Sequence, residues 1–180
     1  WTFQIGGDAV GPLVQREIQW GPAGKQVMIA PAEGLSGEVD TREICIVAND
    51  VQDVLGYQIE VTYDVAYLEV LDVRPGAFLG GEGQTAGVLW DAHGGVLKIT
   101  DARLAEGGVG GSGVLACVTF QAVPGTGSPT TYANLSKTKV WNTAGQMRYI
   151  GPDGLALLVR WWNAADMNYD GVVDGADLIQ

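Results

Sequence analysis

The chain has 180 residues, of which 47 % are hydrophobic and 17 % are charged, so it can bury the core of one domain and still carry a small appendage. Its 10 lysines and arginines stand against 21 aspartates and glutamates, which gives a net charge of −11. This balance argues against a basic nucleic-acid-binding surface and suits a protein that meets cations or basic patches. No run approaches the ~20 apolar residues that a membrane-spanning helix needs.

The first 24 residues form an N-terminal extension of uncertain role, either a leading strand or a linker. This segment has neither the basic n-region nor the apolar h-region of a signal peptide, so none is expected in this chain.

From residue 25 onwards, short β-branched runs bounded by Gly, Pro, Asp or Asn recur, and helical periodicity is scarce. In GYQIEVTY, for example, Tyr57, Ile59 and Val61 share one face of an alternating strand, which is typical of a sheet with one packed and one wet face. The spacing predicts an all-β sandwich or barrel. The predicted strands span residues 26–30, 42–48, 56–63, 67–73, 87–91, 96–100, 114–123, 132–140, 146–150 and 155–160.

Two glycine-rich stretches, residues 80–87 and 106–113, are predicted to be surface loops. The second contains a formal GxGxxG pattern at Gly108, Gly110 and Gly113. A dinucleotide site needs a helix after this pattern, but the strand-like VLACVTF follows, so a loop between strands is the better interpretation.

Residues 166–177, DMNYDGVVDGAD, have the spacing of a twelve-residue EF-hand-like calcium loop. Gly171 occupies position 6, where the backbone turns sharply, and Val173 occupies position 8 as the apolar plug. The four carboxylates of this loop repel one another without a cation, so we expect Ca²⁺ to order it. The predicted ligands are Asp166, Asn168, Asp170, the backbone carbonyl of Val172, Asp174 (through water) and Asp177.

The body of the chain resembles a cohesin domain. The resemblance is most specific in LGYQIEVTYDVAYLEVLDVRPG, residues 55–76, which match the family's alternating strand, Tyr-Asp, Leu-Glu and closing Pro-Gly. It covers roughly residues 25–162, with Val65 standing where the family usually has Pro. The resemblance implies an all-β fold, a nine-stranded β-sandwich with jelly-roll topology.

Residues 163–180 resemble one repeat of a dockerin, the calcium-dependent module that cohesins receive. A full dockerin has two such loop–helix repeats, and only one loop is present here, followed by three residues. In that family the tenth and eleventh loop positions help to choose the partner, and these are Gly175 and Ala176.

The resemblance also indicates a partner-binding face. In cellulosomal cohesins this face includes outward positions of the strand aligned with residues 56–63, commonly Asn and Asp, where this chain has Gly56 and Gln58. Together with Glu60 these residues are our candidates for partner binding. Because this chain lacks both of these polar residues, it resembles the non-cellulosomal cohesin-like group more closely than the cellulosomal cohesins.

The two cysteines, Cys45 and Cys117, are both predicted on the outer face of their strands, because Ile44, Ile46, Val118 and Phe120 take the inward positions. The cohesin-like fold implies that these strands are neighbours in one sheet. A cross-strand disulfide and two free thiols are both open, and the sequence alone favours the thiols.

Enzymatic activity is not expected. His93 is the only histidine and is predicted to lie in a turn, and Asp64 and Glu69 are better explained as a turn cap and a sheet-surface charge than as a glycosidase pair.

The function that follows is a non-catalytic protein–protein interaction module, which receives a dockerin-type partner or another copy of a related protein. We expect the protein to be secreted or at the cell surface, in an assembly such as those that degrade polysaccharides. It is predicted to bind one Ca²⁺. The alternative is a carbohydrate-binding module of jelly-roll type, suggested by the six tryptophans. The adjacent Trp161 and Trp162 face opposite ways in an extended strand, whereas Trp20, Trp90 and Trp141 remain candidates for a sugar platform.

Overall fold

The computed structural model describes residues 18–21, 26–29, 41–80, 83–123, 130–150 and 153–159, which form eleven β-strands and no helix. Accordingly, this part of the chain contains no helix that could span a membrane. The strands are β1 (Ile18–Trp20), β2 (Gln26–Ile29), β3 (Thr41–Val54), β4 (Gly56–Tyr63), β5 (Leu68–Pro75), β6 (Leu89–His93), β7 (Val96–Ala102), β8 (Val109–Ala122), β9 (Thr130–Trp141), β10 (Met147–Ile150) and β11 (Asp153–Val159).

These strands form two sheets. The four-stranded sheet has the order β1-β3-β8-β5, and the seven-stranded sheet has the order β2-β11-β9-β4-β7-β6, with β10 also pairing with β9. The pairs are antiparallel except for β2 and β11, which run parallel.

The core lies between the two sheets and follows directly from the alternation in the sequence. In β4, Tyr57, Ile59 and Val61 are buried, and Val118 and Phe120 of β8 are buried in the facing sheet. Contacts join the sheets, since the Tyr63 ring meets the Phe120 ring edge-on with centroids 6.1 Å apart. The fold is therefore an all-β sandwich, as the sequence predicts.

Each of the ten predicted strands overlaps an observed one. The described residues form eleven strands where the resemblance implies nine, and the jelly-roll topology stays a prediction. The strand Ile18–Trp20, within the predicted extension, pairs with β3 at the edge of the four-stranded sheet, and Ile18 is buried there. The boundaries of the predicted segments 1–24, 25–162 and 163–180 stay predictions.

The prediction of a loop over residues 106–113 is right for residues 106–108 and wrong from Val109 onwards, where β8 begins and continues the ladder with β3. The strand β3 is correspondingly longer than predicted and ends at Val54. Asp50 and Asp53 adopt positive φ angles of 50° and 54° where the register shifts, so this part of the ladder is bulged.

The glycines of the GxGxxG pattern pack against this bulged ladder. A Cβ at Gly108 would lie 2.2 Å from Asp53 Oδ1, and a Cβ at Gly113 would lie 3.0 Å from the Phe78 ring. Close backbone approach explains these glycines, and the strand that follows them rules out the phosphate-binding arrangement.

Cys45 and Cys117 are joined by a disulfide, so the preference for free thiols is wrong. The two residues are direct partners in the antiparallel register of β3 and β8. The predicted outward orientation is confirmed, because Ile44, Ile46 and Val118 are buried on the other side. Strand register, which spacing in the sequence does not show, brings the two sulfur atoms together.

Candidate partner-binding face

The candidate residues Gly56, Gln58 and Glu60 lie on β4, near the middle of the seven-stranded sheet. They alternate with the buried Tyr57 and Ile59, which point to the core. The three candidates therefore occupy the side of the sheet that faces away from the four-stranded sheet, and we call the β6, β7, β4, β9 and β10 part of this side the outer face.

A row of four charged side chains crosses the centre of the outer face. Asp91 of β6 is the register partner of Lys98, Lys98 is the partner of Glu60, and Glu60 is the partner of Lys137. The charges alternate from strand to strand, which is favourable because opposite charges on directly paired residues attract. Glu60 Oε1 lies 3.3 Å from Lys137 Nζ, and the Ser136 hydroxyl donates to the Glu60 backbone carbonyl oxygen over 3.1 Å.

Towards one end, the outer face becomes apolar and aromatic. Lys139 is the partner of Gln58 on one side and Tyr149 on the other, and its Nζ lies 5.9 Å from the centre of the Tyr149 ring. Leu89 and Tyr149 are exposed by 72 % and 62 %, and Met147 is also exposed. This end therefore offers apolar surface beside the charged row.

Gly56 belongs to the same end and lies between Ala102 and Trp141 in the register. A Cβ at this position would lie 3.0 Å from the backbone oxygen of Asp101 and 3.3 Å from the Ala102 Cβ. Gly56 thus lets β7 approach closely and contributes backbone, not a side chain, to the face.

The other end of the outer face leads to a groove of about 430 Å³. Thr62, Asn134 and Tyr132 line it, together with the turn at Asp64 and the Gly94–Gly95 hairpin. Asp64 caps that turn, as predicted, because its Oδ1 accepts a hydrogen bond of 2.9 Å from the backbone N–H of Ala66.

The outward side of the four-stranded sheet differs in charge. Glu69 and Asp72 are exposed on β5, and Arg74 pairs with Glu43 of β3. Glu43 also lies beside Cys45 and Cys117, with all three ligand-type atoms within 4.8 Å of one another. Both sulfur atoms are used by the disulfide, so this cluster lacks the thiolates that would hold a metal.

The other sequence candidates lie apart from one another or outside the described residues. His93 ends β6 next to the hairpin and is exposed. Trp90 is paired with the inward Ile99, whereas Trp141 is paired with Gly56 of the outer face, so these two rings do not share a platform. The calcium loop 166–177, with Gly175 and Ala176, lies outside the described residues.

Two buried polar side chains support the sheet beneath the outer face. The Tyr57 hydroxyl donates a 2.9 Å hydrogen bond to the Leu115 carbonyl of the other sheet, and burial, with the nearby charge of Asp101, raises the pKa of Tyr57. Burial also raises the pKa of Asp101, against the lowering effect of hydrogen bonds from the Ala102 and Gly87 backbone N–H groups and the Thr85 hydroxyl.

The lysines of the outer face are functional candidates that the sequence analysis did not single out. Lys98 lies between the buried Leu97 and Ile99, so alternation alone could have placed it outward. Its alignment with Glu60 and Lys137 depends on the order and register of strands that are distant in the sequence.

Comparisons with known proteins give one consistent family. A cohesin-domain model matches residues 33–150. No match is found among curated proteins. A non-cellulosomal cohesin from the archaeon Archaeoglobus fulgidus superposes with a TM-score of 0.60 at 16 % identity, over 85 % of this chain and 96 % of that one.

Two further structures show the same fold. A cohesin module of a family 33 glycoside hydrolase from Clostridium perfringens has a TM-score of 0.60 at 10 % identity, over 81 % of this chain and 98 % of that one. The cohesin of a type I cohesin–dockerin complex from Clostridium thermocellum has a TM-score of 0.58 at 15 % identity, over 79 % of this chain and 92 % of that one.

Proposed function

Because the chain belongs to the cohesin family, we propose that it is a non-catalytic interaction module that receives a dockerin-type protein partner on its outer face. Several similar structures, including those from Clostridium thermocellum and Acetivibrio cellulolyticus, are complexes of a cohesin with a dockerin.

The observation that carries this proposal is the composition of the outer face. It combines the row Asp91, Lys98, Glu60 and Lys137 with exposed apolar residues at one end. Stable protein interfaces have this mixture, in which an apolar region supplies most of the affinity and polar groups set orientation and specificity.

A binding screen of the chain against the dockerin modules of the same proteome tests the proposal. Two matched variants locate the binding surface, Thr100→Trp in the centre of the outer face and Thr119→Trp in the centre of the opposite sheet. Both threonines are half-buried on central strands, so the two substitutions perturb the sandwich to a similar degree.

We expect Thr100→Trp to weaken binding by at least about tenfold, because the indole prevents close contact with a flat partner, and Thr119→Trp to leave it unchanged. If no dockerin binds the folded chain, or if only Thr119→Trp weakens binding, the proposal is wrong.

We further propose that residues 166–177 bind one Ca²⁺ as part of a dockerin-like repeat. The support is the donor set, since Asp166, Asn168 and Asp170 occupy alternate positions before Gly171 and supply the oxygen ligands that Ca²⁺ prefers. Asp170→Ala should abolish Ca²⁺ uptake in calorimetry, whereas Asp91→Ala on the outer face should preserve it. Equal uptake by both variants would place the ion elsewhere.

The proposed setting is extracellular or at the cell surface. The Cys45–Cys117 disulfide supports this setting, because disulfides persist in oxidising compartments and are rare in the cytosol. Finding the chain only in the cytosolic fraction of its source cells, by immunodetection, would contradict it.

A further inference from the structure

The charge of the outer face is opposite to that of the chain. Three of the four lysines in the sequence, Lys98, Lys137 and Lys139, lie on this face, although the net charge of the chain is −11. The same face carries two described carboxylates, Glu60 and Asp91.

Lys98 and Lys137 are also more exposed than Glu60, the carboxylate that lies between them in the register. The Glu60 side chain is 22 % exposed and is engaged by Lys137, whose own side chain remains 63 % exposed. Lys98 is exposed and forms no ion pair within 4 Å among the described residues, and Lys139 lies over a tyrosine ring, not beside a carboxylate. A partner that approaches this face therefore meets the exposed ammonium groups of Lys98 and Lys137, of which only the second has a carboxylate within 4 Å among the described residues.

The outward side of the opposite sheet has the reverse balance. Its exposed charges include Glu69 and Asp72, and its Arg74 is neutralised by Glu43. Positive charge is thus concentrated on one face of a negative molecule, an arrangement that orients a charged partner before contact.

We propose that the dockerin-type partner of this chain docks through an acidic surface, whose carboxylates pair with Lys98, Lys137 and Lys139. This inference rests on the proposed function and adds the chemistry of the partner. The exposed Leu89, Met147 and Tyr149 beside the lysines favour a protein that also presents apolar side chains. Three lysines interleaved with carboxylates are too few for a polyanion such as nucleic acid, which is held by many contacts to phosphates.

The test measures association rate constants of each dockerin that binds in the screen, at about 50 mM and about 500 mM NaCl. Lys98→Glu should lower the rate constant about tenfold at low salt, and Asp91→Lys should raise it severalfold, since both change the charge at paired positions of the row. Arg74→Glu makes the same change of charge as Lys98→Glu on the opposite sheet and should alter the rate less than about twofold. The thermal midpoint of each variant confirms that it is folded.

The increase expected for Asp91→Lys is decisive, because a misfolded variant would not bind faster. If dockerins bind the wild type equally at both salt concentrations and Lys98→Glu has no effect, the acidic-partner inference is wrong and the proposed function stands. If no dockerin binds, both fail. Heparin is also tested as a competitor of dockerin for the wild-type chain. If heparin displaces dockerin at a concentration equal to that of the chain, the face is a general polyanion site and the acidic-partner inference is wrong.

Discussion

Tyr57 connects the two sheets through a single buried hydrogen bond. The Leu115 carbonyl that accepts from it also accepts a 2.8 Å hydrogen bond from the Gly76 backbone N–H. The acceptor therefore keeps one partner when the tyrosine hydroxyl is removed.

Tyr57→Phe should accordingly lower the free energy of unfolding by about 1 kcal/mol, near the net value of one hydrogen bond and below the penalty of an unsatisfied buried group. Chemical denaturation measures the difference. Tyr149→Phe, at an exposed position, serves as the control and should be neutral within about 0.5 kcal/mol. A loss above about 3 kcal/mol for Tyr57→Phe would mean that the hydroxyl does more than bridge the sheets.

Asp101 is a buried carboxyl whose pKa is raised above its usual value of 3.8 by loss of solvent. Because the pKa of Asp101 is higher in the folded chain than in the unfolded chain, the folded chain holds the proton more tightly. The carboxyl therefore destabilises the fold at pH values above its folded-state pKa, and this destabilisation is lost as the pH falls to its unfolded-state pKa. Asp101→Asn removes this dependence.

The difference in free energy of unfolding between Asp101→Asn and the wild type should therefore change with pH above the ordinary carboxyl pKa of 3.8, with the wild type gaining relative to the variant as the pH falls. Asp91→Asn, at an exposed position, provides the comparison. A difference for Asp101→Asn that is constant over this range would show that the carboxyl has no raised pKa.

At the scale of elements, the ladder between β3 and β8 shows why short-range patterns misled the sequence analysis. Asn49-Asp50 and the glycines at 110 and 113 carry turn and loop signals, yet they lie within the paired strands β3 and β8. The glycines are needed because β3 bulges towards β8, and a bulge depends on two strands that are about 60 residues apart in the sequence.

The disulfide closes the same ladder over a sequence separation of 72 residues. Its reduction should lower the free energy of unfolding by about 2–4 kcal/mol, because the unfolded chain regains the freedom that the cross-link removes. The double variant Cys45→Ala/Cys117→Ala should be insensitive to reductant. Thiol titration of the denatured protein should detect no thiol before reduction and two after it; two thiols before reduction would exclude the bridge.

At the scale of the whole molecule, the described apolar core forms one cluster between the two sheets. Its buried apolar residues run from Ile18 to Val140 and come from both sheets. We expect folding of the sandwich and ordering of the predicted calcium loop to be separate events.

Removal of residues 163–180, or of Ca²⁺ by EGTA, should shift the thermal midpoint of the sandwich by less than about 3 °C, which corresponds to about 1 kcal/mol in a domain of this size. Deletion should abolish Ca²⁺ uptake. A loss of more than about 8 °C on chelation would show that the metal supports the sandwich itself.

The sequence by itself determined the strands and their inward faces, because a strand needs only a local alternation of apolar and polar residues, as in Gln58 to Thr62. It also contained the family motifs in residues 55–76. The tertiary structure decided what depends on register: the Cys45–Cys117 bond, the continuation of β8 to Val109, and the row that joins Asp91, Lys98, Glu60 and Lys137. Each of these unites residues from strands far apart in the chain, and a shift of one residue in any pairing would turn those side chains to the other face of the sheet.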